Sequence, residues 1–199
     1  KPCFSPHVDW IAAINVLNIA TIICNLLYLF IDVNYLKSKH LNTLIGKMEM
    51  KNPVEHSINP LFAARWSPYG FDATREVSRT DLEAIFEAAR WTMSAFNAQP
   101  WRYIVGVRGR SQETWDGVFD SLLEGNQGWT KNVPVLALGL AQRHYEHNGK
   151  PNKTAFHDLG AASAALTFEA TARGLAVHQM AGINPDRARR IFELDEDTQ

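Results

Sequence analysis

Apolar and polar positions along this chain fall into short blocks whose period changes. Leu82, Ile85, Phe86 and Ala89 recur at i, i+3, i+4 and i+7, which predicts a helix over Ser78–Thr92 with one buried stripe. Ser78 with Asp81 three residues later forms a start signal of the capping-box type, with Asp in the usual Glu position. Tyr103-Ile104-Val105-Gly106-Val107 predicts a strand closed by the Arg108-Gly109-Arg110 turn. Trp115, Val118, Phe119 and Leu122 mark a second helix, ended by Gly125-Asn126. Pro134 to Leu140 is a short continuous apolar run, read as a central strand. The longest helix runs from Thr154 to Arg173, with Gly174 at its C′ position, and is dense in small residues from Gly160 to Ala165. Asn184 and Pro185 supply the N-cap and first position of a last helix. Strands alternate with helices but no βαβ unit repeats. The expected class is α+β, with helices on both faces of a mixed sheet.

The first 50 residues follow a different pattern. Ile11 to Ile31 carries no charge, and about 20 such residues suffice to cross a bilayer core. Lys37, Lys39 and Lys47 follow it, which would leave the downstream domain in the cytoplasm. Asn15, Asn18, Thr21 and Asn25 dilute the run, and it lacks the basic start and small-residue cleavage site of a secretory signal. Three readings stand open for residues 1–50: a membrane anchor, a soluble helix, or a leader foreign to a domain that starts near Met48 and Met50. The domain itself is placed at 51–199.

Composition narrows the function classes. A chain of 199 residues fits one domain, and its formal net charge of −1 lacks the basic excess that nucleic-acid binding requires. Cys3 and Cys24 are the two cysteines, both ahead of residue 51. The domain therefore has no disulfide, cysteine metal site or thiol nucleophile. No Gly-x-Gly-x-x-Gly follows a strand, and neither a phosphate-binding P-loop nor a Gly-x-Ser-x-Gly elbow is present. His144, Glu146, His147, His157 and Asp158 lie near one another in sequence, in a loop composition that reads as solvated rather than metal-binding.

The chemistry concentrates in two places. Arg65-Trp66-Ser67 offers a guanidinium and a hydroxyl, suited to a phosphate. Ser94, Asn97 and Gln99 put a hydroxyl and two amides in one loop before Pro100-Trp101. Such side chains can read a ring edge that alternates C=O and N–H. A phosphate at one end and a polar heterocycle at the other describe FMN.

At these residues the chain resembles the nitroreductase family of FMN-dependent oxidoreductases. Arg65-Trp66-Ser67-Pro68-Tyr69-Gly70-Phe71 is similar to its Arg-x-Ser signature. Met93 to Trp101 is similar to its Pro-Ser-Ser-x-Asn-x-Gln-Pro-Trp run, with Met93 for Pro and Ala95 for the second Ser. Gly174 to Gly182 resembles the Gly-Leu segment that passes the reactive edge of the flavin.

The resemblance implies a three-layer α/β/α fold around a mixed sheet, and a homodimer with FMN at its interface. Arg65, Trp66 and Ser67 would grip the ribityl phosphate end, and Tyr69 would join the cofactor site at a place where relatives carry a Lys or Arg that contacts the flavin. Ser94 and Asn97 would reach a flavin bound mainly by the other subunit, Gln99 would join the cofactor-binding residues, and Gln179, Met180, Ala181 and Gly182 would pass the flavin's N5 region. The activity implied is electron transfer from NADH or NADPH to nitroaromatics, quinones or similar small acceptors by a ping-pong mechanism. No side chain is assigned as a general base, and no metal is implied. A flavin oxidase or dehalogenase-like relative, or a membrane-anchored module with a decayed FMN site, are the alternatives. The resemblance also implies that a last strand and a C-terminal arm would follow residue 199.

Overall fold

The computed structural model describes residues 23–32 and 52–194. Four strands form one sheet: β1 (Ile23–Asp32), β2 (Trp101–Val107), β3 (Val135–Ala141) and β4 (Ala176–Met180). Their order is β2-β3-β1-β4, and each neighbouring pair is antiparallel. Among the described strands the sheet is thus antiparallel rather than mixed. Sequence alternation says which residues line a strand, but it does not fix strand direction.

Strand β1 departs most from expectation. Residues 23–32 belong to the run read as a leader or anchor, yet they form an interior strand. Leu29 pairs with Ala137 of β3 on one side and with Gln179 of β4 on the other. A continuous apolar run fits a strand covered on both faces as well as it fits a helix. The boundary near residue 50 therefore does not separate this strand from the domain. The remaining residues of the leader, 1–22 and 33–50, lie outside the described residues. Among the described residues, no helix is long and apolar enough to cross a membrane.

Alternation along β3 builds two cores. Val135 and Ala137 face one side, packing with Ile85 and Ala89 of α2 (Arg79–Arg90) and with Leu159, Ala162, Leu166 and Ala170 of α5 (Ala155–Ala172). Leu136, Leu138 and Leu140 face the other, packing with Trp115 and Val118 of α3 (Gln112–Ser121) and Ala188 of α6 (Pro185–Phe192). The result is helices over both faces of a central sheet, as an α+β three-layer reading requires.

The helix start signals act as read. Ser78 Oγ accepts from Asp81 N at 3.0 Å, and Asn184 Oδ1 accepts from Arg187 N at 3.0 Å. Gly174 closes α5 with φ at +73°, a conformation glycine adopts without strain. The second predicted helix ends earlier than Gly125: α3 stops at Ser121, Leu122 and Leu123 are extended, and α4 (Glu124–Thr130) continues through Gly125, Asn126 and Gly128. A tertiary contact offsets the poor helix propensity there, since Asn126 Nδ2 donates to Gly182 O, while Thr130 Oγ1 donates to the Asn126 carbonyl within the helix. A short helix, α1 (Pro60–Ala64), leads directly into Arg65.

Candidate active site

Arg65 follows α1 at its C-cap, in extended backbone. From there the chain passes β4, an edge strand among the described strands. On the α5 side, a cleft of about 260 Å³ is lined by Arg65, Ser67, Ala164, Thr167, Phe168, Val177 and Gln179. Arg65 Nη1 donates to Ser67 Oγ at 3.2 Å, so the cation and the hydroxyl form one donor pair. Ala164, Val177 and Phe168 give the cleft an apolar wall, and Phe62 of α1 packs on Phe168 with ring centroids 4.4 Å apart.

Strand alternation decides what β4 offers the cleft. Val177 and Gln179 face α5, whereas His178 and Met180 face the opposite layer. Gln179 Nε2 donates to Ser163 O at 3.0 Å and to Thr167 Oγ1 at 2.7 Å. Met180 is buried in the second core, and Ala181 is exposed. Gly182 lies beneath the amide of Asn126, whose Nδ2 donates to Gly182 O at 2.9 Å. The small residue at 182 thus makes room for a neighbouring side chain.

Pro68 carries the segment across the sheet edge. His178 Nδ1 donates to Pro68 O at 2.8 Å. Beyond it Tyr69 packs edge-on against His178 and Trp129, with centroids 4.8 and 5.0 Å away. Tyr69 therefore stands on the face opposite Gln179 and does not line the cleft. Trp66, between the two cleft residues, is partly exposed and outside the lining.

The second motif sits elsewhere. Ser94 through Gln99 form a tight loop containing a 3-10 turn at Ala95–Asn97. Phe96, Asn97 and Gln99 all have left-handed backbone, with φ of 54°, 54° and 46°. Three such residues in four are costly, and neighbouring contacts must hold them. Ser94 Oγ accepts from Gln99 N at 2.9 Å. Buried Asp158, in the first turn of α5, accepts from Ala95 N at 3.1 Å and from Thr154 Oγ1 at 3.1 Å. Arg102 Nη1 donates to Gln99 O at 2.9 Å while its Nη2 bonds Glu146 Oε1 at 2.8 Å. Phe96 projects outward, 85% exposed.

The two clusters do not meet within one protomer. Asp158, which holds the loop, and Thr167, at the cleft, are nine residues apart on α5, or about 13 Å at 1.5 Å per residue. The structure brings together Arg65, Ser67 and Gln179; it leaves Ser94, Asn97 and Gln99 at the other end of the helix. Sequence reading did not single out Thr167 or Phe168, and took Ser163 only as one of the small residues from Gly160 to Ala165. The available signal was the row of hydroxyls at Ser163, Thr167 and Thr171, each four apart, in a helix otherwise rich in Ala.

The histidine-rich segment forms a small surface hairpin in which His144 bridges Pro151. His157 contacts Asp158 at 3.1 Å. Among the described residues, no three His, Cys, Asp or Glu side chains cluster closely enough to hold a metal ion.

With the geometry in hand, known proteins identify the family. The nitroreductase family profile matches residues 62–127. A Streptomyces coelicolor protein, provisionally named an NADH dehydrogenase/NAD(P)H nitroreductase, is 30% identical over 157 residues, covering 69% of this chain and 75% of that protein. The Major NAD(P)H-flavin oxidoreductase of Aliivibrio fischeri is 28% identical over 89 residues, a match spanning 45% of this chain and 39% of that relative's length. A solved structure described as an oxidoreductase containing FMN superposes with a TM-score of 0.69 at 35% identity, covering 75% of each chain. The chain belongs to the nitroreductase family.

Proposed function

We propose that this chain is an FMN-dependent oxidoreductase that passes electrons from NADH or NADPH to nitroaromatics, quinones or similar electron-poor acceptors. The reading is carried by the meeting of Arg65, Ser67 and Gln179 in one cleft. Two of these residues come from the first motif and one from the third, far apart in sequence, and α5 and β4 supply the apolar wall between them. Names of relatives point the same way: one is an NAD(P)H-flavin oxidoreductase, another an NAD(P)H nitroreductase, and the 35%-identical structure contains FMN.

The donor set fits the cofactor. Arg65 and Ser67 supply a planar cation and a hydroxyl, which suit a phosphate monoester. The cleft volume of about 260 Å³ falls below the roughly 300–1,000 Å³ that encloses a ligand of drug size. A cleft of that size is consistent with one copy of the chain covering part of a flavin mononucleotide. The remainder would lie against a second copy, whose Ser94, Asn97 and Gln99 sit on a rigidly held, outward-facing loop. This supports a homodimer with the cofactor between subunits.

When bound, FMN supplies the two-electron exchange between nicotinamide and acceptor. Arg65, Ser67 and Gln179 would hold and orient the cofactor. The sequence carries no second nucleotide-binding motif, which supports donor and acceptor sharing one site in turn, with ping-pong kinetics.

The test is optical. The whole chain, loaded with FMN and kept anaerobic, should lose its visible absorbance on adding NADH or NADPH and regain it on adding a quinone or nitroaromatic. Initial rates against donor at several acceptor concentrations should give parallel reciprocal plots. FMN-loaded protein that keeps its colour with both nicotinamides contradicts the reading.

A further inference from the structure

The Gln179 side chain has a fixed polarity. Its Nε2 donates to Ser163 O and Thr167 Oγ1, at 3.0 and 2.7 Å. Thr167 Oγ1 in turn donates to the same Ser163 carbonyl, at 2.7 Å. A primary amide has two N–H donors and one oxygen acceptor. Both donors are spent on α5, and rotating the amide by 180° would set its oxygen against the Ser163 carbonyl, where two acceptors repel. The orientation is therefore unambiguous. Among the described residues no hydrogen bond reaches Gln179 Oε1, while Gln179 lines the cleft beside Arg65 and Ser67.

The cleft thus offers a ligand two opposite polar surfaces. Arg65 and Ser67 donate; Gln179 Oε1 accepts. A phosphate satisfies the first and offers nothing but acceptors to the second. The second needs an O–H or N–H on the same ligand.

We propose that Gln179, held in one orientation by Thr167 and Ser163, accepts a hydrogen bond from a hydroxyl on the chain that carries the phosphate, and so selects a phosphorylated polyol over a plain alkyl phosphate. The proposal rests on the FMN reading above and names which part of that cofactor Gln179 recognises. Gln179 is the contact; Thr167 is the positioning residue behind it. Without the Thr167 hydroxyl the amide loses one of its two anchors and is held by the Ser163 carbonyl alone.

The test compares three flavins on the whole chain by fluorescence titration: FMN, an analogue whose side chain is an unhydroxylated alkyl phosphate of equal length, and FMN methylated at N3. Wild type should bind FMN about tenfold tighter than the alkyl phosphate, as one good hydrogen bond implies, and any loss on N3 methylation should be the same in wild type and Gln179→Met. Gln179→Met should bind FMN and the alkyl phosphate alike, Thr167→Val should narrow the preference, and Thr167→Ser should restore it. Equal binding of those two by wild type overturns the proposal, as does a preference that survives Gln179→Met. A loss on N3 methylation that Gln179→Met abolishes also overturns it, because Gln179 would then be reading the ring. Wild type that binds none of the three overturns the FMN reading itself, an outcome distinct from the others.

Discussion

The amide of Asn126 occupies the space where a side chain at residue 182 would begin. A Cβ built on Gly182 falls 2.0 Å from Asn126 Nδ2, and that nitrogen donates to Gly182 O at 2.9 Å. Asn126 Oδ1 also accepts from Trp129 Nε1, at 3.2 Å, so the amide cannot swing aside without breaking both bonds. Gly182→Ala should destabilise the protein by about 1–3 kcal/mol. Adding Asn126→Ala should recover part of that loss. Urea unfolding of both single variants and the double measures the coupling, and strictly additive losses would contradict the contact.

Asp158 governs the loop that carries Ser94, Asn97 and Gln99. Its buried carboxylate is the acceptor for Ala95 N, next to three residues in left-handed backbone. Asp158→Ala strands that N–H and should cost about 1–3 kcal/mol. Amide exchange across residues 94–99 should accelerate more than exchange in β3. Uniform acceleration through the protein would indicate a general loss of stability instead.

The two motif clusters were legible in the sequence because chemistry was concentrated within a few residues of each. The arrangement around Gln179 was not. Ser163 and Thr167 lie in α5, a helix with buried residues on several sides, where the row of hydroxyls does not itself mark which of them matter. Tyr69 and Met180 lie close in sequence to Ser67 and Gln179, but Pro68 carries Tyr69 around the sheet edge, and strand alternation turns Met180 the other way. Hydropathy could not tell the strand at Ile23–Asp32 from a helix, because only pairing with β3 and β4 distinguishes them.

That strand leads to a prediction about truncation. A chain starting at Met48 lacks β1, which lies between β3 and β4, and leaves two facing edges without partners. It should lose the cooperative unfolding transition of the full chain and should aggregate. A soluble 48–199 fragment with the same denaturant midpoint as the full chain would contradict the placement of β1.

Tyr103 makes stability depend on alkaline pH. Burial pushes its phenol well above the usual tyrosine range, against a smaller downward pull from its hydrogen bond with Ser163 Oγ. The folded state therefore keeps this proton after the unfolded chain has released it at about pH 10. The stabilising contribution is complete below that pH and falls as pH rises further, by up to about 1.4 kcal/mol per unit. Tyr103→Phe should be less stable at neutral pH by about 1 kcal/mol and should show a shallower fall between about pH 10 and pH 11. Thermal midpoints across that range check the sign, and identical slopes in the two proteins would contradict it.

The central claim is that Arg65 and Ser67 hold the phosphate end of FMN, and the most direct measurement is the equilibrium affinity of wild type and Arg65→Ala for FMN and for riboflavin, which lacks the phosphate. Wild type should prefer FMN by more than tenfold, a charge-assisted hydrogen bond contributing about 1.5–3 kcal/mol. Arg65→Ala should lose most of that preference while its affinity for riboflavin changes little. Equal affinity of wild type for the two flavins, or an Arg65→Ala variant that keeps the full preference, would contradict the account.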